Sequence, residues 1–398
     1  MNIYQTIYIV GVIQGLYLVA MLLFHNRGNQ VANRWLAGFV GSFTLTALAG
    51  WVFESGVYER YPWMFTSLTG VLFLMGPMLY FYTCTLIGQQ AFKPRGWLHF
   101  LPFVLYTTYI VYINFLFSDA EIVANLKYWN KEHTDEPFVG TIPWMLIFKT
   151  FHVLIYTGVV LAMLRKFTQK LKNNLAALDK INLEWLKILL YVYSGWVLFV
   201  LGIMFLVHVG GYYQLFNHSD SVATVGLIVI IFLIGFMGMR QPEIISGELI
   251  NEQSKKLKTS DKLQNSKSKY QKTALSAIQT KTLYEKLQRQ VETEKLYLDS
   301  DITLGKLAEK VGLPPHQLSQ VINEQSHSNF YDFINNYRVQ EAQRLLQDKN
   351  NEQYTILYIA YQAGFKNKNS FNRAFKKMTQ LTPSTYRTMK QNENIPKK

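Results

Sequence analysis

Residues 304–312 read LGKLAEKVG and residues 356–364 read ILYIAYQAG, so one pattern occurs twice at a separation of 52 residues. In both copies the apolar residues stand at positions i, i+3, i+4 and i+7, which places them on one face of a helix. Ala308 and Ala360 are small enough to let a second helix approach closely. Gly312 and Gly364 follow where a left-handed turn ends a helix. The repeat predicts two helix-turn-helix units.

A second, polar helix is expected after each turn. These helices are offset by 53 residues, so the second turn is one residue longer than the first. Arginine pairs well with guanine, and asparagine or glutamine with adenine, so polar side chains on these helices suit the edges of bases. The candidate DNA-contacting residues are His316, Gln317, Ser319 and Gln320 in the first unit, and Lys368, Asn369, Asn372 and Arg373 in the second. The alternative is that several of these groups are only solvated.

Apolar residues between the two units predict a further helix over about 329–346, which would hold them at a fixed separation. If both recognition helices enter one face of a duplex, they occupy successive major grooves, about 34 Å apart. The recognised element is then long and need not be palindromic.

The first 240 residues are of another kind. They contain 15 of the 40 Lys and Arg residues of this 398-residue chain, and its net charge is +14. Crossing a hydrocarbon core about 30 Å thick takes roughly 20 mostly apolar residues. Seven stretches qualify, near 4–24, 35–54, 63–87, 98–117, 143–164, 185–209 and 221–240. The expected fold is all-α, a polytopic membrane helix bundle followed by a soluble domain with two helix-turn-helix units.

The charges of the loops predict an orientation. Loops 25–34, 88–97 and 165–184 hold nine Lys and Arg residues, whereas the alternate loops hold three. Because basic loops resist translocation, the N-terminus is expected outside and the C-terminus in the cytoplasm. The predicted domains are 1–240, a seven-helix transmembrane domain; 241–279, a lysine-rich cytoplasmic linker; and 280–398, a DNA-binding domain with helix-turn-helix units at about 304–323 and 356–379.

Four residues in the membrane part do not suit lipid. Pro77 removes a backbone hydrogen bond and should kink the third span, Lys149 and His152 lie inside the fifth, and Glu54 ends the second. Ionisable groups in a span mark functional sites by default, so these residues form a candidate signal pocket. The alternative is that Lys149 snorkels to the interface and Glu54 is simply interfacial.

Five motifs carry a family resemblance: LSQVIN at 318–323, YRVQEAQRLL at 337–346, AYQAGF at 360–365, SFNRAFKK at 370–377 and TPSTYR at 382–387. With them, residues 300–389 resemble the DNA-binding domain of AraC/XylS-type transcription regulators. The resemblance implies base contacts from His316, Ser319, Gln320, Lys368, Asn369 and Arg373. Pro314-Pro315 departs from it, since members commonly have a serine cap there. Segments 76–82 and 98–103 also resemble the membrane halves of bacterial regulators that carry this domain.

The resemblance implies a one-component sensor in the bacterial cytoplasmic membrane that binds promoter DNA. The expected partners are double-stranded DNA, the lipid bilayer, an unknown small-molecule or membrane ligand and a second copy of the chain in a homodimer. A membrane receptor or transporter whose basic tail docks protein or lipid is the alternative. No enzyme, cofactor or metal site is expected, because no phosphate-binding loop or nucleophile-base pair stands out and Cys84 is the only cysteine.

Overall fold

The computed structural model describes residues 2–24, 29–89, 95–130, 144–176, 184–208, 216–240 and 277–393. Within these ranges all named elements are helices, and an isolated antiparallel β-bridge joins Leu175 to Thr303. The chain divides into two compact units: Met1–Leu164 with Leu183–Glu252, and Arg165–Asn182 with Gln253–Lys398. The all-α fold class is confirmed. Residues 241–276 of the predicted lysine-rich linker lie outside the described residues.

Nine α-helices are described before residue 241. They are α1 Ile3–Phe24, α2 Gln30–Glu54, α3 Pro62–Leu68, α4 Leu72–Leu86, α5 Leu101–Leu116, α6 Asp119–Asn130, α7 Trp144–Asn174, α8 Glu184–His208 and α9 Phe216–Arg240. A 3-10 turn at Thr69–Val71 separates α3 from α4, and Pro77 lies inside α4 without ending it. The last residues of α7, from Arg165 onward, belong to the second unit.

Six helical stretches are long and apolar enough to cross a membrane: Ile3–Phe24, Gln30–Glu54, Pro62–Leu86, Gly96–Leu116, Ile147–Asn174 and Trp185–Ile203. The apolar part described in α9 is shorter, Val225–Met237, so the seventh span stays a prediction. Large apolar side chains point outward, among them Phe115, which is 89% exposed. Surfaces of this kind are unfavourable in water and suited to lipid.

Close helix contacts hold the first unit together. α2 packs against α1, α4 and α9. At Gly15 of α1, a Cβ atom would lie only 2.1 Å from the Thr44 hydroxyl oxygen of α2, so only glycine permits this approach. Small residues at such crossings are typical of membrane helices, which associate through tight packing rather than the hydrophobic effect.

The second unit contains seven described helices besides the end of α7. They are α10 Ala277–Thr293, α11 Leu304–Val311, α12 Pro315–Ser326, α13 Phe330–Gln347, α14 Ile356–Gln362, α15 Lys368–Thr379 and α16 Pro383–Glu393. The pairs α11/α12 and α14/α15 are the two helix-turn-helix units, and α13 connects them.

Each helix-turn-helix unit has its own apolar core. The apolar faces of α11 and α12 pack with the first half of α13 and with Leu287 and Val291 of α10. The second half of α13 packs with α14 and α15 around Phe371 and Phe375. Met378, near the end of α15, is 41% exposed. Since α13 contributes to both cores, it joins the two units.

Candidate nucleic-acid interface

The two turns have the same hydrogen-bond pattern. In the first, Leu313 N–H donates to the Ala308 carbonyl over 2.9 Å, and Gly312 has a φ of 72°. In the second, Phe365 N–H donates to the Ala360 carbonyl over 3.0 Å, and Gly364 has a φ of 87°. The left-handed glycine lets the chain reverse immediately after the first helix of each unit.

Polar caps fix the starts of these helices. The hydroxyl oxygen of Thr303 accepts from the Lys306 N–H, and that of Thr355 accepts from the Tyr358 N–H, three residues further along the chain. These two caps begin α11 and α14. Asn367 accepts from the Ser370 N–H over 2.9 Å and begins α15. α12 begins at Pro315, where the missing N–H of proline costs nothing, so the Pro314-Pro315 departure leaves the helix intact. Asn367 is a functional residue that the motifs did not indicate, although an asparagine directly before Lys368 is a recognisable cap signal.

The structure places all eight candidate DNA-contacting residues on the recognition helices α12 and α15. Those that are exposed are His316, Lys368, Asn369 and Arg373, and those that are half-buried are Gln317, Ser319, Gln320 and Asn372. They come from the first part of each helix, which is the part that reaches base edges when a recognition helix lies in the major groove. Whether each of them contacts a base stays a prediction.

Some of these side chains already have partners within the protein. The Gln320 amide donates to the Glu324 carboxylate over 2.8 Å, and Asn323 donates to the Ser319 hydroxyl over 3.5 Å. A bidentate contact of Gln320 with adenine therefore requires it to exchange the Glu324 hydrogen bond for a base.

Arg338 of α13 connects the two helix-turn-helix units. Its side chain is 1% exposed, and its guanidinium donates to the Tyr297 carbonyl over 2.7 Å and to the Asp299 carbonyl over 2.9 Å. The guanidinium carbon also lies 5.8 Å from the ring centre of Phe365, which belongs to the second turn. One buried side chain thus contacts the segment before the first unit and the turn of the second.

Two ion pairs reinforce this arrangement. Lys377 of α15 binds Asp332 of α13, with 2.7 Å between Nζ and Oδ1. Lys366 of the second turn binds Asp301, which precedes the first unit, and this hydrogen bond lowers the pKa of Asp301. Both pairs join elements of different units, so they oppose relative motion of the recognition helices.

The TPSTYR motif at 382–387 packs the C-terminal helix against the second helix-turn-helix unit. Thr382 accepts from the Thr385 N–H over 3.2 Å at the start of α16, where Pro383 is the first helical residue. The Tyr386 ring packs against Phe375 at 5.3 Å between ring centres, and Arg387 donates to the Tyr354 carbonyl over 2.9 Å. This motif therefore connects the C-terminal helix to α15 and to the residues just before α14.

In the first compact unit, α7 brings Lys149 and His152 together against α4 and α5. Lys149 is 7% exposed, its Nζ lies 4.0 Å from the ring centre of Tyr106, and the described residues supply it with no ion pair. His152 packs against Phe73 at 5.3 Å between ring centres, and its Nδ1 is buried without a hydrogen-bond partner among the described residues.

The neighbourhood of this cluster is aromatic and tightly packed. Tyr156, one turn after His152, shares a 2.5 Å hydrogen bond with His99, and a Cβ atom on Gly76 would meet the Tyr156 ring at 2.6 Å. Pro77 is therefore next to the α4–α7 contact. Glu54 ends α2, where its backbone carbonyl accepts a hydrogen bond from Gln5 of α1.

Comparison with known proteins identifies the C-terminal part. Residues 307–389 match the family described as "Helix-turn-helix domain". An uncharacterised HTH-type transcriptional regulator of Staphylococcus aureus (strain COL) is 36% identical over 93 residues, which are 23% of this chain and 12% of that protein. The uncharacterised HTH-type regulator YtdP of Bacillus subtilis (strain 168) is 28% identical over 92 residues, again 23% and 12%. No solved structure matches the chain.

These matches confirm the resemblance to AraC/XylS-type regulators for the C-terminal region, which is a helix-turn-helix domain of the kind found in transcription regulators. The chain covers about an eighth of the length of the relatives that it matches, at 12%. The matched residues span both helix-turn-helix units, from Leu307 in α11 to Met389 in α16.

Proposed function

We propose that the chain is a membrane-embedded transcription regulator that binds promoter DNA in a sequence-specific manner. The observation that carries this proposal is the pair of matched helix-turn-helix units, held in a fixed arrangement by Arg338. A tail that only docks protein or lipid has no need of two recognition helices in one rigid frame. The exposed cations of α15 suit the phosphate backbone, and its Asn and Arg side chains suit base edges.

Selection of duplexes from a random library by the full chain in lipid nanodiscs tests this proposal. We expect enrichment of one sequence with two half-elements about one helical turn apart. The matched control is the double variant Gln320→Ala/Arg373→Ala, which should insert normally and enrich nothing. Equal binding of selected and random DNA by the wild-type chain would contradict the proposal and favour the tail-docking alternative.

The proposed location is the bacterial cytoplasmic membrane, with the C-terminal domain in the cytoplasm. The basic loop 165–184 is predicted on the cytoplasmic side, and Leu175 of this loop forms a β-bridge with Thr303, the residue that caps the first helix-turn-helix unit. A loop and a domain that touch must lie on one side of a membrane. Reporter fusions after Lys170 and Met389 should report cytoplasm, and a fusion after Tyr58 the outside. An outside signal after Met389 would refute this topology.

The proposed signal site is the cluster around Lys149 and His152. A buried ammonium without a described counter-ion, beside a buried imidazole nitrogen without a partner, favours an anionic group as ligand. Binding can shift the bundle only through a difference in affinity for its two arrangements. We propose that an anionic ligand in this cluster alters α7 and through it the output of the chain.

A further inference from the structure

The chain immediately after the fifth candidate span is built into the DNA-binding domain. We call residues 171–176 the docking segment. Leu171 is 2% exposed and Ala176 is 1% exposed. α7 ends at Asn174, and the next residue, Leu175, forms the antiparallel bridge with Thr303, the residue that caps the first helix of the first helix-turn-helix unit. A surface loop would not bury its residues in this way.

The docking segment fills a place in the core and supplies a hydrogen-bond acceptor. Ala176 belongs to the apolar core of the first helix-turn-helix unit. Its backbone carbonyl accepts from Asn335 Nδ2 over 3.2 Å and from an Arg338 guanidinium nitrogen over 3.3 Å. Both donors are buried. Without this carbonyl, Asn335 Nδ2 would keep the Tyr331 carbonyl as acceptor and the Arg338 nitrogen would keep the Asn335 side-chain oxygen, but each would lose one hydrogen bond. Loss of a hydrogen bond by a buried donor is unfavourable.

This contact reaches the arrangement of the two units. Arg338 uses its other nitrogens to hold the backbone of Tyr297 and Asp299, and the turn at Gly364 packs against that backbone. If the docking segment leaves, the Arg338 guanidinium keeps only part of its hydrogen bonds. Its hold on the backbone of Tyr297 and Asp299, against which the second turn packs, would then weaken. The recognition helices α12 and α15 would then lose their fixed relation.

We propose that the docking segment is a working part of the DNA-binding domain, whose seating holds both helix-turn-helix units in the arrangement that binds DNA. The segment is continuous with α7, which carries Lys149 and His152, so a displacement of α7 unseats it and lowers DNA affinity. The effect on DNA rests on the proposed function, whereas the docking itself can be measured without DNA.

Disulfide trapping in membrane vesicles measures the docking. In a Cys84→Ala background, Leu175→Cys and Thr303→Cys place two thiols at directly opposed bridge positions, within reach of a disulfide. Mild oxidation should link tryptic peptides 173–180 and 296–306, detected by mass spectrometry. The matched control pairs Leu175→Cys with Thr355→Cys, because Thr355 has the same capping role in the second unit, and it should give no linked peptide.

Substitution of Ala176 measures the consequence for DNA. Ala176→Gln adds a side chain that the buried site cannot hold, whereas Lys166→Gln changes an exposed side chain of α7 outside the docking segment. In the full chain in nanodiscs, Ala176→Gln should abolish the 175–303 cross-link and weaken binding of the selected duplex about tenfold. Lys166→Gln should change neither. Both variants must elute as the wild-type protein does on size exclusion, which separates undocking from misfolding.

Each outcome decides a different question. A 175–303 cross-link no stronger than the 175–355 control overturns the docking. Loss of the cross-link in Ala176→Gln with unchanged DNA affinity overturns the role of docking in DNA binding. A wild-type chain that cross-links but prefers no DNA sequence leaves the docking standing and overturns the proposed function instead.

Discussion

The substitution Gly364→Ala tests the contact between the second turn and residues 297–298, which precede the first helix-turn-helix unit. Gly364 has a φ of 87°, a conformation that costs an L-residue about 1–2 kcal/mol. A Cβ atom there would also lie 2.6 Å from the Tyr297 carbonyl oxygen and 2.9 Å from the Leu298 Cα. These are backbone atoms and cannot rotate away, so the segment that Arg338 holds must move.

The chain offers a matched control at Gly312, the same position in the first turn. Its φ is 72°, and nothing lies within 4 Å of a Cβ atom added there. Gly312→Ala should therefore cost only the backbone strain, about 1–2 kcal/mol. Gly364→Ala adds overpacking, which typically costs a further 1–3 kcal/mol, so we expect about 2–5 kcal/mol in total.

Pulse proteolysis of the full chain in nanodiscs, across a urea series, compares the two variants. With a C-terminal tag, loss of the intact tagged fragment gives the unfolding midpoint of the DNA-binding domain, which contains both turns. Since a domain of this size unfolds with a slope of about 1–3 kcal/mol per molar urea, a 2 kcal/mol difference should separate the midpoints by about 1 M. Equal midpoints for the two variants would refute the close packing of the second turn against residues 297–298.

Three further outcomes are expected. Arg373→Ala should weaken binding of the selected duplex by about 1–3 kcal/mol and of random DNA very little, in fluorescence anisotropy titrations; equal losses would reassign it to the phosphate backbone. Lys149→Met should insert and bind DNA, but its reporter output should stay constant under a condition that changes the wild-type output. A normal response would show that Lys149 is only an interfacial residue. Asp301→Asn should cost under about 1 kcal/mol at neutral pH, because its ion pair with Lys366 is partly exposed. Since the folded-state pKa of Asp301 is lowered from 3.8, this cost should fade as the pH falls through the lowered pKa, and a cost unchanged at pH 2 would show that the carboxylate charge is not its source.

The helix-turn-helix fold was predictable because its signals are local. The helical periodicity and the closing glycine of each copy lie within nine residues, and the second copy repeats the first. The structure begins α11 and α14 at Leu304 and Ile356, the first residues of the two copies. The helix start at Pro315 was also predictable, since proline is accepted in the first turn of a helix. The kink expected at Pro77 stays a prediction.

The joint between the units was not predictable in this way. Arg338 lies in the YRVQEAQRLL motif, and nothing in its neighbours shows that the guanidinium is buried rather than exposed. Its contact with Ala176 joins residues 162 positions apart, and Ala176 is an ordinary alanine in a loop. α10 has a weakly apolar sequence, so its place in the first core follows from packing alone.

Under the proposed function, the rigid connection through α13 limits which promoters this chain can use. Adding one base pair between two half-elements rotates one against the other by about 35° and moves it along the duplex axis, and a fixed protein cannot follow. Regulators with flexibly joined halves tolerate such insertions, whereas genes under this chain would have to share one spacing. A single-nucleotide insertion in a promoter would then remove a gene from control as completely as the loss of a base contact.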